Sequence, residues 1–340
     1  MEAPVALVDR IGRPFRDLRV SVTDRCNFRC TYCMPADVFG EHYHFLPKDQ
    51  LLTFEEITRL SRVLVSLGAR KIRLTGGEPL VRHSIETLVA QLASLSDVED
   101  LAMTTNGYLL ADKAQALRDA GLRRLTVSLD SLDDEVFKKL NGQRAEVRRI
   151  LEGIAAAEAA GFAPIKINAV VQRGVNDHTV VNLARFCRER GYIARFIEYM
   201  DVGTLNGWQL EQVVPAGEII SMIDAELPLE PVESNYPGEV ATRYRYRDGS
   251  GEIGVIASVT RPFCGSCTRL RLSPDGKLYT CLFGAAGTDL RQPMRAGASD
   301  DEIRQLVAGV WQRRDDRYSE IRTSQTAAHA RKVEMYQIGG

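Results

Sequence analysis

The sequence predicts an α/β protein: a partial (βα)6 parallel barrel followed by a smaller C-terminal domain. Three observations predict it. Strand-length runs alternate with helix-length apolar stripes from residue 18 to about residue 200. Most of those strands carry polar residues on one face. Beyond residue 200 the alternation stops, and a second cysteine group follows.

The candidate strands are 18–23, 71–75, 98–104, 124–130, 165–172 and 194–200. Between the first two, Phe54, Ile57, Leu60, Val63, Leu64 and Leu67 form one helical stripe. Thr53 with Glu56 three residues later is a capping box, and Gly68 closes the helix. Gly121, Gly161 and Gly191 close later helices just before the next strand. Such units in series give parallel strands with right-handed crossovers, either doubly wound or curled into an open barrel.

The strand faces favour the barrel. Strands buried on both sides read as continuous apolar runs, but several here alternate. Arg19, Ser21 and Thr23 share a face, as do Lys71, Arg73 and Thr75, then Thr126, Ser128 and Asp130, then Lys166 and Asn168. Buried ionised groups are costly unless paired or hydrated. A wet lumen that takes up an anion satisfies them all.

After residue 200 comes a Gly-rich loop at 201–208 and a helix at 215–225. The stretch 228–238 reads as a Pro- and Glu-containing linker, which divides the chain into 1–230 and 231–340. Strands follow at 244–247 and 252–259, the turn 273–277 joins two more, and 300–313 is a terminal helix.

Lysine plus arginine is 44 against 45 acids, a net charge of −1, which excludes a nucleic-acid coat or a polybasic membrane protein. No apolar run reaches membrane-spanning length, and the first residues have no signal core, so a cytoplasmic protein is expected.

Seven cysteines do not make a complete disulfide framework. Cys26, Cys30 and Cys33 form one triplet in the loop after the first strand, and Cys264, Cys267 and Cys281 form another. Cys187 sits on a helical stripe and reads as core. A zinc knuckle at the first triplet would need His42 or His44 as its fourth ligand. Three thiolates also suit a four-iron cluster with one iron open to an exogenous ligand. Arg269 and Arg271 alternate on the strand leaving Cys267, and arginine forks pair bidentately with phosphate oxygens.

The spacing of Cys26, Cys30 and Cys33, with Tyr32 before the last, resembles the radical S-adenosylmethionine superfamily. So does the glycine-rich segment Gly76-Gly77-Glu78-Pro79 one strand later. With the second triplet and the Gly339-Gly340 terminus, the chain resembles the GTP 3′,8-cyclases of molybdenum cofactor biosynthesis from about Asp9 onward. The resemblance implies a barrel of the radical S-adenosylmethionine type, a C-terminal iron–sulfur domain and two 4Fe-4S clusters, one on each triplet. It places S-adenosylmethionine near Tyr32, Gly77, Ser128 and Met200. GTP falls to Arg73, Thr104, Lys166, Arg269 and Arg271, with Arg19, Lys71 and Arg195 in support, its guanine on the second cluster.

In such an enzyme a 5′-deoxyadenosyl radical takes hydrogen from ribose C3′, and the carbon radical adds to guanine C8. Arg269, Arg271, Gly339 and Gly340 are the implied catalytic positions. The implied partners are a flavodoxin or ferredoxin as electron donor, the cyclic pyranopterin monophosphate synthase that takes the product, and a second copy in a homodimer. Two other readings stay open: a peptide-modifying radical enzyme with an auxiliary cluster, and a zinc-stabilised binding module. The terminal glycines are either a frayed end or a tail threaded into the active site.

Overall fold

Polar side chains at alternate positions on neighbouring strands become one surface only if the strands pair in phase, and they do. The computed structural model describes residues 7–322 and 332–339. Its six predicted strands are β1 (Asp17–Ser21), β2 (Lys71–Thr75), β3 (Asp100–Thr105), β4 (Arg124–Ser128), β5 (Lys166–Val171) and β6 (Ile193–Glu198). They pair in parallel in sequence order. The register sets Arg19 beside Arg73, Thr104 beside Thr126, Thr126 beside Lys166, and Asn168 beside Arg195. One face of the sheet therefore carries the whole polar set.

The helices α1 (Phe54–Ser66), α2 (Ile85–Ala93), α3 (Leu110–Asp119), α4 (Asp134–Asn141), α5 (Val147–Ala159) and α6 (Val180–Glu189) fill the crossovers. The Thr53 capping box forms as expected. Ile57, Leu60, Val63 and Leu64 of α1 are buried in the main core, as is Cys187 of α6. A fully buried Leu or Ile side chain contributes about 1.5–3 kcal/mol.

The remaining strands do not fold apart from this sheet. After α7 (Ala216–Asp224) come β7 (Leu229–Val232), β8 (Thr242–Tyr246) and β9 (Glu252–Ile256), with β9 parallel to β6. Then β10 (Arg269–Leu272) pairs in parallel with β1 at the opposite edge, followed by β11 (Lys277–Tyr279) and β12 (Thr288–Asp289). The result is one twelve-stranded sheet. Residues from both ends of it line a single cavity, so it is curled.

The segment 228–238 is not only a linker, as the sequence suggested: β7 lies inside it. Proline argues against a central strand, but β7 is the sheet edge, where a missing N–H costs no ladder bond. After α8 (Arg291–Arg295), helix α9 (Asp300–Gln312) buries Ile303, Val307 and Trp311 in the same core as α1. No helix among the described residues is long and apolar enough to cross a membrane.

Candidate active site

The first cysteine loop leaves the carboxyl end of β1 and is held backbone to backbone. Gly77 donates its N–H to Thr23 O at 2.7 Å, and Glu78 donates to Arg25 O at 2.9 Å. A Cβ on Gly77 would lie 2.3 Å from Arg25 O, so only glycine permits this approach. Glu78 is buried and accepts from Leu80 N at 3.0 Å, Thr105 Oγ1 at 2.7 Å and Asn106 N at 2.6 Å. Asn106 in turn reaches Asn27 Oδ1 at 2.8 Å, within the cysteine loop. Burial pushes the Cys26 thiol up to about 12, with Glu78 adding to it, and raises Cys30 and Cys33 as well. Tyr32 donates its hydroxyl to Asp130 at 2.8 Å.

The second triplet is electrostatically mixed: burial pushes Cys281 up to about 11, whereas Cys267 is lowered. Cys264 and Cys267 close a helical turn before β10, and Cys281 follows β11. Arg269 Nη2 lies 3.1 Å from Cys267 Sγ, and Arg314 Nη2 lies 3.2 Å from it. Burial alone would raise this thiol, but the two guanidiniums outweigh it and bring Cys267 to about 6. Arg13 and Arg314 also donate to the carbonyls of Cys264 and Cys267, at 2.9 and 2.8 Å.

All three cysteines of this triplet open into a cavity of about 180 Å³. Eleven Arg and Lys residues line it against four Asp and Glu. Arg19, Lys71, Arg73 and Lys166, which the strand alternation put on one face, all line it, together with Thr104, Arg195, Arg269, Arg271 and Met200. Burial, then neighbouring guanidiniums, pull Lys166 down to about 8 and Arg271 to about 10, and lower Arg19. Arg195 falls to about 10, burial again first. Arg73 Nη1 donates to Thr104 and Thr126 hydroxyls at 3.1 Å each. Arg195 Nε and Asn168 Oδ1 are buried with no hydrogen-bond partner among the described residues. Arg13, Lys71, Arg124, Arg243 and Arg314 are paired with carboxylates, and the surplus of cations over acids makes the cavity electropositive.

The C-terminal segment joins the two triplets. Tyr336 packs on Met34 and Phe39, in a cluster that Cys26 and Cys33 flank. Its hydroxyl lies 2.6 Å from that of Tyr43. Gly339 is buried at φ +72°, and a Cβ there would sit 2.1 Å from Thr75 Cγ2. Arg271 Nη1 donates to its carbonyl. Gly340 lies outside the described residues.

The geometry has relatives. A protein of Acidothermus cellulolyticus described as GTP 3′,8-cyclase is 54% identical over 356 residues, covering 98% of each chain. Its counterpart in Staphylococcus carnosus is 49% identical over 337 residues, 98% of this chain and 99% of its own. The chain belongs to the GTP 3′,8-cyclase family. It is a radical S-adenosylmethionine enzyme, working with that cofactor and an iron–sulfur cluster. The Radical SAM superfamily profile matches residues 20–187, and the Molybdenum Cofactor Synthesis C profile matches 192–320. The fold is shared with Streptococcus suis SuiB, solved with a precursor peptide (TM-score 0.60, 16% identity, 91% of this chain and 67% of that one). It is also shared with methylornithine synthase (TM-score 0.52, 15% identity, 90% and 84%).

In this GTP 3′,8-cyclase family member, Tyr32, Gly77, Ser128 and the first triplet are not part of the cation-lined cavity, whereas Met200 is. Ser128 is half-buried at the end of β4. His42 and His44 are exposed, and no described group of three or more His, Cys, Asp or Glu is arranged to hold a single metal ion. All-thiolate sets fit iron–sulfur clusters, whose ligands bind different irons. Sequence reading missed Arg13 and Arg314, which approach the second triplet from distant segments without any local motif.

Proposed function

We propose that the protein cyclises GTP to (8S)-3′,8-cyclo-7,8-dihydroguanosine 5′-triphosphate, the first step of molybdenum cofactor biosynthesis. The observation that carries this is the second cysteine triplet opening into a cavity where cations outnumber acids almost three to one. Cys26, Cys30 and Cys33 would hold one 4Fe-4S cluster and Cys264, Cys267 and Cys281 a second. The barrel part, 1–230, serves the cofactor, and the remainder supplies the auxiliary cluster. When bound, the first cluster would supply the electron for reductive cleavage of S-adenosylmethionine.

The chain's own residues bind, orient and shield. Tyr32, Gly77, Ser128 and Met200 seat S-adenosylmethionine. Arg19, Lys71, Arg73, Lys166 and Arg195 neutralise the triphosphate, Thr104 adds a hydroxyl, and Arg269 and Arg271 hold the substrate beside the second triplet. No acid–base pair is required, because attack on one ribose C–H bond depends on placement within van der Waals contact. Gly339 and Gly340 complete the enclosure, where a side chain would displace the reactants. A flavodoxin or ferredoxin supplies electrons, a homodimer is the working form, and a cyclic pyranopterin monophosphate synthase takes the product.

Anaerobic turnover tests the reading. Reconstituted protein with S-adenosylmethionine, a reductant and each nucleoside triphosphate in turn should yield 5′-deoxyadenosine and a cyclised nucleotide with GTP. Cyclisation of another nucleotide instead, or none, overturns it.

A further inference from the structure

Asp201 lies just beyond β6, one residue after Met200, and is 3% exposed. Its carboxylate accepts from Lys332 Nζ at 2.6 Å and from the Tyr318 hydroxyl at 2.5 Å. Its backbone carbonyl accepts a second bond from Lys332 at 2.8 Å. Arg322 Nε lies 2.8 Å from the other carboxylate oxygen, off the hydrogen-bonding direction, so that contact is Coulombic. Two buried cations thus share one carboxylate. Their remaining positive charge rests on the stacked rings of Phe283 and Tyr318: Lys332 is 5.7 and 4.8 Å from the two centroids, and Arg322 is 5.0 and 5.5 Å away.

The same loop is gripped a second time. Glu334 accepts from Thr204 N and Oγ1, both at 2.8 Å. Gly203, at φ +68°, leaves room for that carboxylate, since a Cβ there would lie 2.0 Å from its oxygen. From Lys332 the chain runs only seven residues to Gly339, which packs on Thr75 and receives the Arg271 hydrogen bond. Phe283 stands two residues past Cys281 and lines the cavity, as does Met200 beside Asp201. The tail is therefore anchored where the loop after β6 and the second cysteine loop meet.

We infer that Asp201 is a positioning residue. Through Lys332 it latches the C-terminal tail to the loop after β6, and so sets how deeply the terminal glycines reach between the two cysteine sites. This rests on the proposed cyclisation for its catalytic consequence, while the latch itself is a property of the fold. Removing the carboxylate leaves two buried cations without their counter-ion, which favours withdrawal of the short tail into solvent.

The test uses the full chain carrying Asp201→Asn, Lys332→Met or Gly203→Ala. Hydrogen exchange at residues 332–339 should accelerate in each, while exchange in β1–β6, iron content and GTP affinity stay at wild-type levels. The ratio of cyclised nucleotide to 5′-deoxyadenosine should fall by roughly tenfold or more, because the radical still forms but meets a misplaced ribose. In a chain ending at Ile338 the same substitutions should cost nothing further, since the latch then has no glycines to place. Three outcomes overturn the inference: unaccelerated exchange in all folded variants, a ratio unchanged from wild type, or an equal further loss in the truncated chain. Should the wild-type protein fail to cyclise GTP, the proposed function falls, and the exchange data still decide the latch.

Discussion

Arg271, on β10 beside the second cysteine triplet, donates from Nη1 to the carbonyl of Gly339, which is pressed against Thr75 just ahead of the Gly76-Gly77 turn. Gly339 thus touches the strand leaving one cysteine site and the strand that leads into the turn packed on the other.

Removing Gly339 and Gly340, or changing Gly339 to Val, should spare the fold, because glycines contribute no side chain to the core. Product yield should fall on the order of a hundredfold, the cost of a displacement of about 1 Å at the reacting atoms. Iron content and GTP affinity serve as controls and should not change. Undiminished product from the truncated chain would make the glycines an ordinary end.

Lys166 supplies a pH signature for the proposed binding of GTP in the cation-lined cavity. Burial and the neighbouring arginines hold it near 8, so the empty cavity loses this charge as pH rises through that value. Phosphates raise it again on binding, so GTP binding takes up a proton and affinity falls by up to about tenfold per pH unit above 8. Lys166→Met should flatten that slope. At neutral pH, Arg73→Ala or Lys166→Ala should weaken GTP by about 1.5–3 kcal/mol, the range for charge-assisted hydrogen bonds, measured by calorimetry with the clusters intact.

Gly77→Ala addresses the turn that holds the first cysteine loop. The added methyl meets the Arg25 backbone, which cannot step aside without moving Cys26. Iron at the first site and S-adenosylmethionine cleavage should both drop sharply, while the second site keeps its iron.

Replacing Cys26, Cys30 and Cys33 together by Ala should leave about half the iron and abolish 5′-deoxyadenosine formation. Loss of all iron in that variant would mean that the triplets serve one centre.

Much of this was legible in the sequence. The alternation of Arg19, Arg73, Lys166 and Asn168 marks a polar lumen, because charged residues in central strands have few other tolerable places. The cysteine spacings and the Gly-Gly-Glu-Pro segment are local, so they can be read without a fold. What was illegible is long-range or lies at an edge. β7 reads as a linker because Pro231 is acceptable only at a sheet edge, and edge position is a property of topology. Arg314 reaches Cys267 across 47 residues, and Asp201 meets Lys332 across 131; no periodicity links either pair. The attachment of β10 to β1 likewise depends on how the barrel ends, which strand patterns alone do not specify.

A radical formed at the first cysteine site should take its hydrogen from the ribose of GTP held at the second. Anaerobic turnover with GTP deuterated only at ribose C3′ measures this directly. Deuterium should appear in the methyl group of 5′-deoxyadenosine, in step with formation of the cyclised nucleotide. Unlabelled 5′-deoxyadenosine accompanying cyclised product would mean that the hydrogen comes from elsewhere.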